Sequence, residues 1–190
     1  FEEGHQLAEE GFDVGYEVPA YDARDPVVGS LDDFDRLVAE AHRRGIRIVL
    51  DLVMNHTSSA HRWFEASQRS PSGPHGDWYL WRDGVRDRFG RLHQPNNWTS
   101  FFGGSAWTWD ETRGQFYMHT FLPEQPDLNW QNPAVRTAML TMVRGWLDRG
   151  VEGVGLHVFH ALFTPPHRRS HPPPLTGRPR PTPTHQGHPP

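Results

Sequence analysis

The sequence predicts an α/β fold, a parallel sheet joined by crossover helices, from three features: two helix-then-strand successions and the long segment that separates them. The first succession lies at about 31–53, the second at about 132–159. Their rhythm fits either an open doubly wound sheet or part of a (β/α) barrel, and periodicity does not choose between the two.

Each element has a local cause. Ser30 with Asp33 three positions on forms a capping-box-like start. Phe34, Leu37, Val38 and Ala41 recur at helical spacing and Gly45 supplies the stop, which predicts a helix over about 31–44. Ile46 to Val53 is short, mostly apolar and rich in branched residues, the pattern of a strand buried on both faces of a parallel sheet. That strand delivers Asn55 and His56 to its C-terminal end, where α/β folds keep their sites. From Thr57 to Gln131 glycines, prolines and aromatics abound without sustained periodicity, over a length far beyond the usual connection of about 2–6 residues, so this stretch reads as a functional loop or a small subdomain. Asn132 as cap, Pro133 in the first turn, and Val135, Met139, Met142, Val143 and Trp146 on one side predict a second helix that stops before Gly150. A strand over Gly153 to Phe159 follows.

Composition sets bounds on function. Of 190 residues, 35% are hydrophobic, enough for one domain, but residues 164–190 hold ten prolines, four histidines, four arginines, no acid and a single large aliphatic residue, Leu175. Such a stretch cannot offset its ordering entropy and is expected to be a disordered tail. Without it, 15 basic residues face 23 acidic ones. An acidic body argues against nucleic acid and anionic membrane as partners. The chain has no cysteine, no apolar stretch near the roughly 20 residues of a membrane span and no signal-peptide layout, which points to a cytoplasmic location. It opens with Phe1 rather than methionine, as expected of a fragment.

Three groups of residues have the right chemistry for a site. Asp51, Asn55 and His56 place a carboxylate, a carboxamide and an imidazole at the end of a strand, suited to sugar hydroxyls that both donate and accept; the alternative is a loop capping its own backbone. Gln125 to Trp130, with Asp127 and Asn129, could equally be a turn leading into the second helix. The aromatic residues of the long segment, among them Trp78, Tyr79, Trp81, Trp98, Phe101, Phe102, Trp107 and Tyr117, form a small core, with a few left to line a sugar cleft. The histidines, including the pair His56 and His61 and the pair His157 and His160, match no compact zinc spacing, so no metal site is expected. The tail's Arg178 to Pro183 has the composition of a polyproline ligand.

Taken in order, Gly15 to Tyr21, Asp25-Pro26, Asp51 to His56, Asn96-Asn97-Trp98, Phe102 to Trp107 and Pro123 to Trp130 resemble the alpha-amylase superfamily of glycoside hydrolases, in its alpha-glucosidase and oligo-1,6-glucosidase branch. The resemblance spans about residues 15–162. It implies a (β/α)8 TIM barrel, present here as about strands 2 to 4, with an inserted subdomain after strand 3 at about 57–131. The corresponding division is a partial catalytic barrel over 1–163 and a tail over 164–190. It also implies retaining hydrolysis of alpha-glucosidic bonds, with an alpha-glucoside or a malto- or isomalto-oligosaccharide as partner, and leaves oligomeric state open. By the same resemblance Glu17, Tyr21, Asp51 and His56 stand at substrate-pocket positions, and Asn55, Asp127 and Asn129 support the motifs. In amylases that bind calcium Asn55 also belongs to the metal site; this branch often lacks that site, so no cofactor is expected and calcium is the one ion left open.

The departures concern catalysis. The family pattern Gly-Phe-Arg-hydrophobic-Asp-Val reads Gly153-Val154-Gly155-Leu156-His157-Val158, so Gly155 replaces the arginine and His157 the nucleophilic aspartate. Retention needs one carboxylate to attack the anomeric carbon and a second, roughly 5–5.5 Å away, to protonate the leaving oxygen. Imidazole does not replace the first, and the family's general acid belongs to later strands. Glu17 stands where the family has aspartate. The barrel register ends near Phe163, and the Pro-, His- and Arg-rich continuation, in a chain whose 19 basic residues are all arginine, is what a shifted reading frame in a GC-rich gene would produce. The expectation is a truncated, inactive relative with an open sheet edge and marginal stability. The alternatives are a non-catalytic carbohydrate-binding or regulatory relative, and an active enzyme mis-sequenced near residue 153.

Overall fold

The computed structural model describes residues 31–157. Ser30, Glu17, Tyr21, Phe159, His160 and the tail over 164–190 lie outside the described residues.

Helix α1, Leu31–Arg43, carries Asp32 and Asp33 in its first turn and His42 and Arg43 in its last, each sign matched to the helix dipole. Val38 and Ala41 are buried and Phe34 packs edge-on against Trp146, 5.1 Å between ring centres. Leu37, expected on the same stripe, is exposed instead, because it falls outside the arc of Phe34, Val38 and Ala41. Gly45, at φ 71°, reverses the chain.

Strand β1, Val49–Val53, begins three residues later than the apolar run predicts. The reason is a side chain: Glu152 accepts the Ile48 amide through Oε2 at 2.7 Å and returns its own N–H to the Ile48 carbonyl at 3.0 Å. Glu152 also meets His42 Nε2 at 2.7 Å, tying the end of α1 to the start of the sheet. β1 pairs in parallel with β7, Gly153–His157, in the register Val49 with Gly153, Asp51 with Gly155 and Val53 with His157. The expectation of burial on both faces fails for β1: Leu52 is buried but Val49 and Asp51 are exposed, because no other described strand or helix covers that side of the pair.

Between these strands, the segment read as lacking periodicity contains a helix that sequence reasoning missed. Helix α2, Arg62–Arg69, is only eight residues long and is capped by a histidine, His61, whose Nδ1 accepts the Trp63 amide at 3.1 Å. Its buried face, Trp63, Phe64 and Ser67, meets an antiparallel sheet ordered β2-β6-β5, made of Trp81–Arg82, Gln115–Met118 and Trp107–Asp110. A small hairpin, β3 (Val85–Arg86) and β4 (Leu92–His93), stands beside it. Arg113 fastens α2 to the sheet, donating to the Ser67 and Gly76 carbonyls while its guanidinium lies 4.4 Å from the Trp81 ring centre.

Helix α3, Pro133–Asp148, begins as the sequence predicts: Asn132 Oδ1 caps the Ala134 amide at 2.8 Å and Pro133 occupies the first turn. Val135, Met139, Met142 and Trp146 are its buried face. Asn132 Nδ2 also donates to Asp77 Oδ1 at 2.8 Å, so one residue anchors the helix and the loop before β2. Asn132→Ala is expected to lower the unfolding free energy by about 1–2 kcal/mol, read by urea denaturation followed by circular dichroism. A single apolar cluster runs from Leu52 and Met54 through Phe64, Tyr79, Trp81 and Tyr117 to Met139, Met142 and Trp146; Trp98, Ala106, Trp107, Phe116 and Met118 form a second.

Candidate functional site

The polar residues that the sequence places after β1 are held by a seam rather than by a turn. Residues Pro126 to Asn129 run between the end of β1 and the chain before β2. On one side Leu128 N donates to Asn55 O at 2.8 Å and Thr57 N to Pro126 O at 3.3 Å, with His56 and Asp127 as an antiparallel bridge. On the other, Leu80 N donates to Asp127 O at 3.2 Å and Asn129 N to Trp78 O at 2.7 Å. Trp130 Nε1 donates to Met54 O at 2.7 Å. These bonds engage the Met54 and Asn55 carbonyls and the Thr57 amide at the end of β1, and the Trp78 carbonyl and Leu80 amide before β2.

His56 is buried at the strand end, its Nδ1 3.1 Å from Asn55 Oδ1 and its ring edge-on to Phe121, 5.7 Å between centres. With Asn55 Oδ1 as acceptor, Nδ1 carries the proton and Nε2 remains an acceptor for a hydroxyl donor. Burial lowers the His56 pKa to about 4, so the ring is neutral at neutral pH. Asp127 moves the opposite way, raised to about 7 chiefly by burial, against two hydrogen bonds from Thr120: N–H to Oδ1 at 3.0 Å and Oγ1–H to Oδ2 at 2.5 Å.

Phe121, which the sequence reading did not single out, belongs to a rim with Phe101 and Phe102, the latter two 77% and 66% exposed and each within 6.1 Å of the Phe121 ring centre. The only sequence signal for it is its place just before the Pro123 to Trp130 motif. Around it, His119 Nδ1 lies 3.0 Å from Phe121 O, Tyr117 Oη donates to Pro123 O at 2.9 Å, and Leu122 N donates to Gln125 Oε1 at 3.1 Å.

The remaining named residues have separate places. Asp51 sits mid-strand on β1 opposite Gly155, and its carboxylate occupies the space where a side chain at 155 would begin: a Cβ there would lie 2.5 Å from Asp51 Oδ1. An arginine at 155 would require that carboxylate to swing aside. His157 is the residue paired with Val53, at the last rung of the ladder. Asn129 donates its amide to Asp77 O at 2.9 Å and accepts the Gln131 amide at 3.2 Å, so its side chain supports the lead-in to α3. Asn55 is buried, and its Nδ2 has no partner among the described residues.

Calcium requires about 6–8 oxygen ligands, and no such set gathers around Asn55 among the described residues. Asn55 Oδ1 already faces His56, the Asp127 carboxylate is committed to Thr120, and no group of three or more His, Asp or Glu side chains converges among the described residues. No described helix is long and apolar enough to cross a membrane.

Comparison with known proteins gives this geometry a context. Residues 7–183 match the model of the alpha amylase catalytic domain. A probable alpha-glucosidase of Rhizobium meliloti (strain 1021) is 51% identical over 151 residues, 80% of this chain and 27% of that protein. The oligo-1,6-glucosidase of Heyndrickxia coagulans is 47% identical over 150 residues, 79% of this chain and 26% of that protein. Among solved structures, a trehalulose synthase variant in complex with Tris superposes with a TM-score of 0.72 at 39% identity, over 90% of this chain and 33% of that one. The chain spans about a quarter of the length of the curated relatives it matches. With a family match across nearly its whole length, this chain belongs to the alpha-amylase catalytic-domain family of carbohydrate hydrolases.

Proposed function

We propose that residues 31–157 are the part of an alpha-glucosidase-type catalytic barrel that holds the glucosyl unit of its substrate, and that this 190-residue polypeptide does not hydrolyse the bond. In this reading β1 and β7 are the third and fourth barrel strands, α3 is the crossover between them, and residues 57–131 are the subdomain inserted after the third. The parallel pairing of β1 with β7 supports that placement. The observation that carries the functional reading is His56: a neutral, buried imidazole whose Nε2 accepts from a sugar hydroxyl while the Phe121 ring beside it offers an apolar face to the pyranose. Asp51, Glu17 and Tyr21 complete the pocket by resemblance, with Asn55, Asp127 and Asn129 as its supports. Alpha-glucosides, including malto- and isomalto-oligosaccharides, are the proposed ligands, and a cysteine-free chain suits a cytoplasmic setting.

Loss of hydrolysis follows from β7. A retaining glycosidase needs a carboxylate at the anomeric carbon, and His157 and Gly155 stand where the family has that aspartate and its arginine. The purified chain is expected to release no glucose from a chromogenic alpha-glucoside above a no-protein control; release proportional to its concentration would refute the proposal. A second reading, a non-catalytic sugar binder, draws on the same His56 and Phe121 pair. It requires saturable calorimetric heat with maltose or isomaltose that disappears in His56→Ala.

A further inference from the structure

Beside the β3 and β4 hairpin lies a hollow of about 410 Å³ that no part of the proposed site uses, walled by Val85, Asp87, His93, Gln94, Pro95 and Asn96. Its volume falls within the range of roughly 300–1,000 Å³ typical of small-molecule sites.

The polar groups on its wall are set in a particular way. Asn96 Oδ1 accepts both the Trp98 amide at 3.0 Å and the Trp107 indole N–H at 2.9 Å. Both partners can only donate, which fixes the orientation of the carboxamide and leaves the two Nδ2 hydrogens for another acceptor. Gln94 Oε1 lies 2.5 Å from Ser105 Oγ, a hydroxyl that is also 3.0 Å from Trp107 O, so that contact holds the Gln94 side chain in place and leaves the orientation of its carboxamide to the ligand. Asp87, the one acid on the wall, is used up within the hairpin: Oδ1 accepts the Phe89 and Arg91 amides, and Oδ2 meets Arg91 Nε at 2.8 Å and His93 Nε2 at 3.1 Å. A carboxylate has about four acceptor positions, so nothing is left for a cation, and Arg91 spends its Nε–H on that carboxylate. Val85, 54% exposed, and Pro95 add an apolar wall.

An amide donor set in place by Asn96 beside an apolar surface, with the one acid on the wall already satisfied, matches a neutral polyhydroxylated ring: a hydroxyl oxygen accepts from the amide while the C–H face lies on the aliphatic side chains. We propose that this hollow is a second saccharide site, taking one pyranose unit of a neutral glycoside independently of His56. Only the choice of an alpha-glucoside as its sugar rests on the function proposed above.

The full chain would be titrated with maltose and with isomaltose by saturation-transfer NMR and calorimetry, with inorganic phosphate as competitor. Asn96→Asp keeps the oxygen that Trp98 and Trp107 donate to and removes the amide hydrogens; near-ultraviolet circular dichroism reports whether the tryptophans are undisturbed. Val85→Asp places a charge on the exposed wall at a residue outside both apolar clusters, and far-ultraviolet circular dichroism reports whether the hairpin is kept. In the His56→Ala background, which silences the glucosyl pocket proposed above, the expected result is saturable binding that each of the two variants weakens at least about tenfold, the cost of one lost oriented contact, and with which phosphate does not compete. Absence of saturable binding in the His56→Ala background, or binding there that survives both Asn96→Asp and Val85→Asp, would overturn the proposal; binding seen only with His56 intact would leave the His56 pocket standing as the sugar site.

Discussion

Between pH 4 and 7 the unfolding free energy of the chain is expected to stay nearly level, while Asp127→Asn gains stability as pH rises and His56→Gln loses it. The two buried groups titrate in opposite senses over the same interval. Asp127, at about 7 in the folded chain, lies above the ordinary carboxyl value of 3.8, so the fold favours its proton. Its contribution is complete below about pH 4 and disappears as pH climbs through 7. His56, at about 4 against an ordinary 6.5, is favoured neutral. Its contribution is complete above about pH 6.5 and is lost as pH falls through 4. Each shift is worth on the order of 3–4 kcal/mol, so the two largely offset one another until one group is removed. Urea melts followed by tryptophan fluorescence at pH 4, 5.5 and 7 would show the divergence; two variants that keep the parent profile would mean that neither group is desolvated as described.

Phe64→Ala is expected to cost about 3–5 kcal/mol, enough to remove cooperative unfolding from the segment between β1 and α3. Phe64 is 1% exposed and stands among three aromatic rings: it stacks on Trp81 with 5.4 Å between centres and meets Tyr79 and Tyr117 edge-on at 5.0 and 5.1 Å. Truncation opens a cavity whose walls are ring faces that cannot collapse inward, because Tyr79 and Trp81 are also held by hydrogen bonds to Thr57 and Ser67. Phe64→Leu, which keeps most of the volume, should lose much less. An alanine variant that melts like the parent would show that α2 contributes little to this core. A collapse of α2 would also release the backbone next to His56, since Thr57 Oγ1 lies 2.7 Å from Tyr79 Oη.

The family match and the motif at residues 125–130 agree on ancestry, but the motif's physical role emerges only in three dimensions. As a sequence it reads equally well as a turn before a helix. In the fold it is a bridging strand-like segment whose amides and carbonyls close the backbone of residues 55–57 on one side and 78–80 on the other. Replacing its register would disturb both, which is why Asp127 can be held as a fully buried carboxyl with Thr120 as its partner.

From sequence alone, the two long helices, the two parallel strands that follow them, the Asn132 cap and the position of His56 beyond a strand end were all determined. These depend on local backbone preference and on apolar spacing within one element, which neighbours along the chain decide. Helix α2 escaped because eight residues carry too little periodicity and its cap is a histidine. Only the tertiary structure set Phe121 against His56, laid the Asp51 carboxylate in the space beside Gly155, and drove the two buried ionisable groups in opposite directions. Each of these joins residues distant in the chain, or depends on how far solvent is excluded, and neither distance nor burial is written in the order of residues.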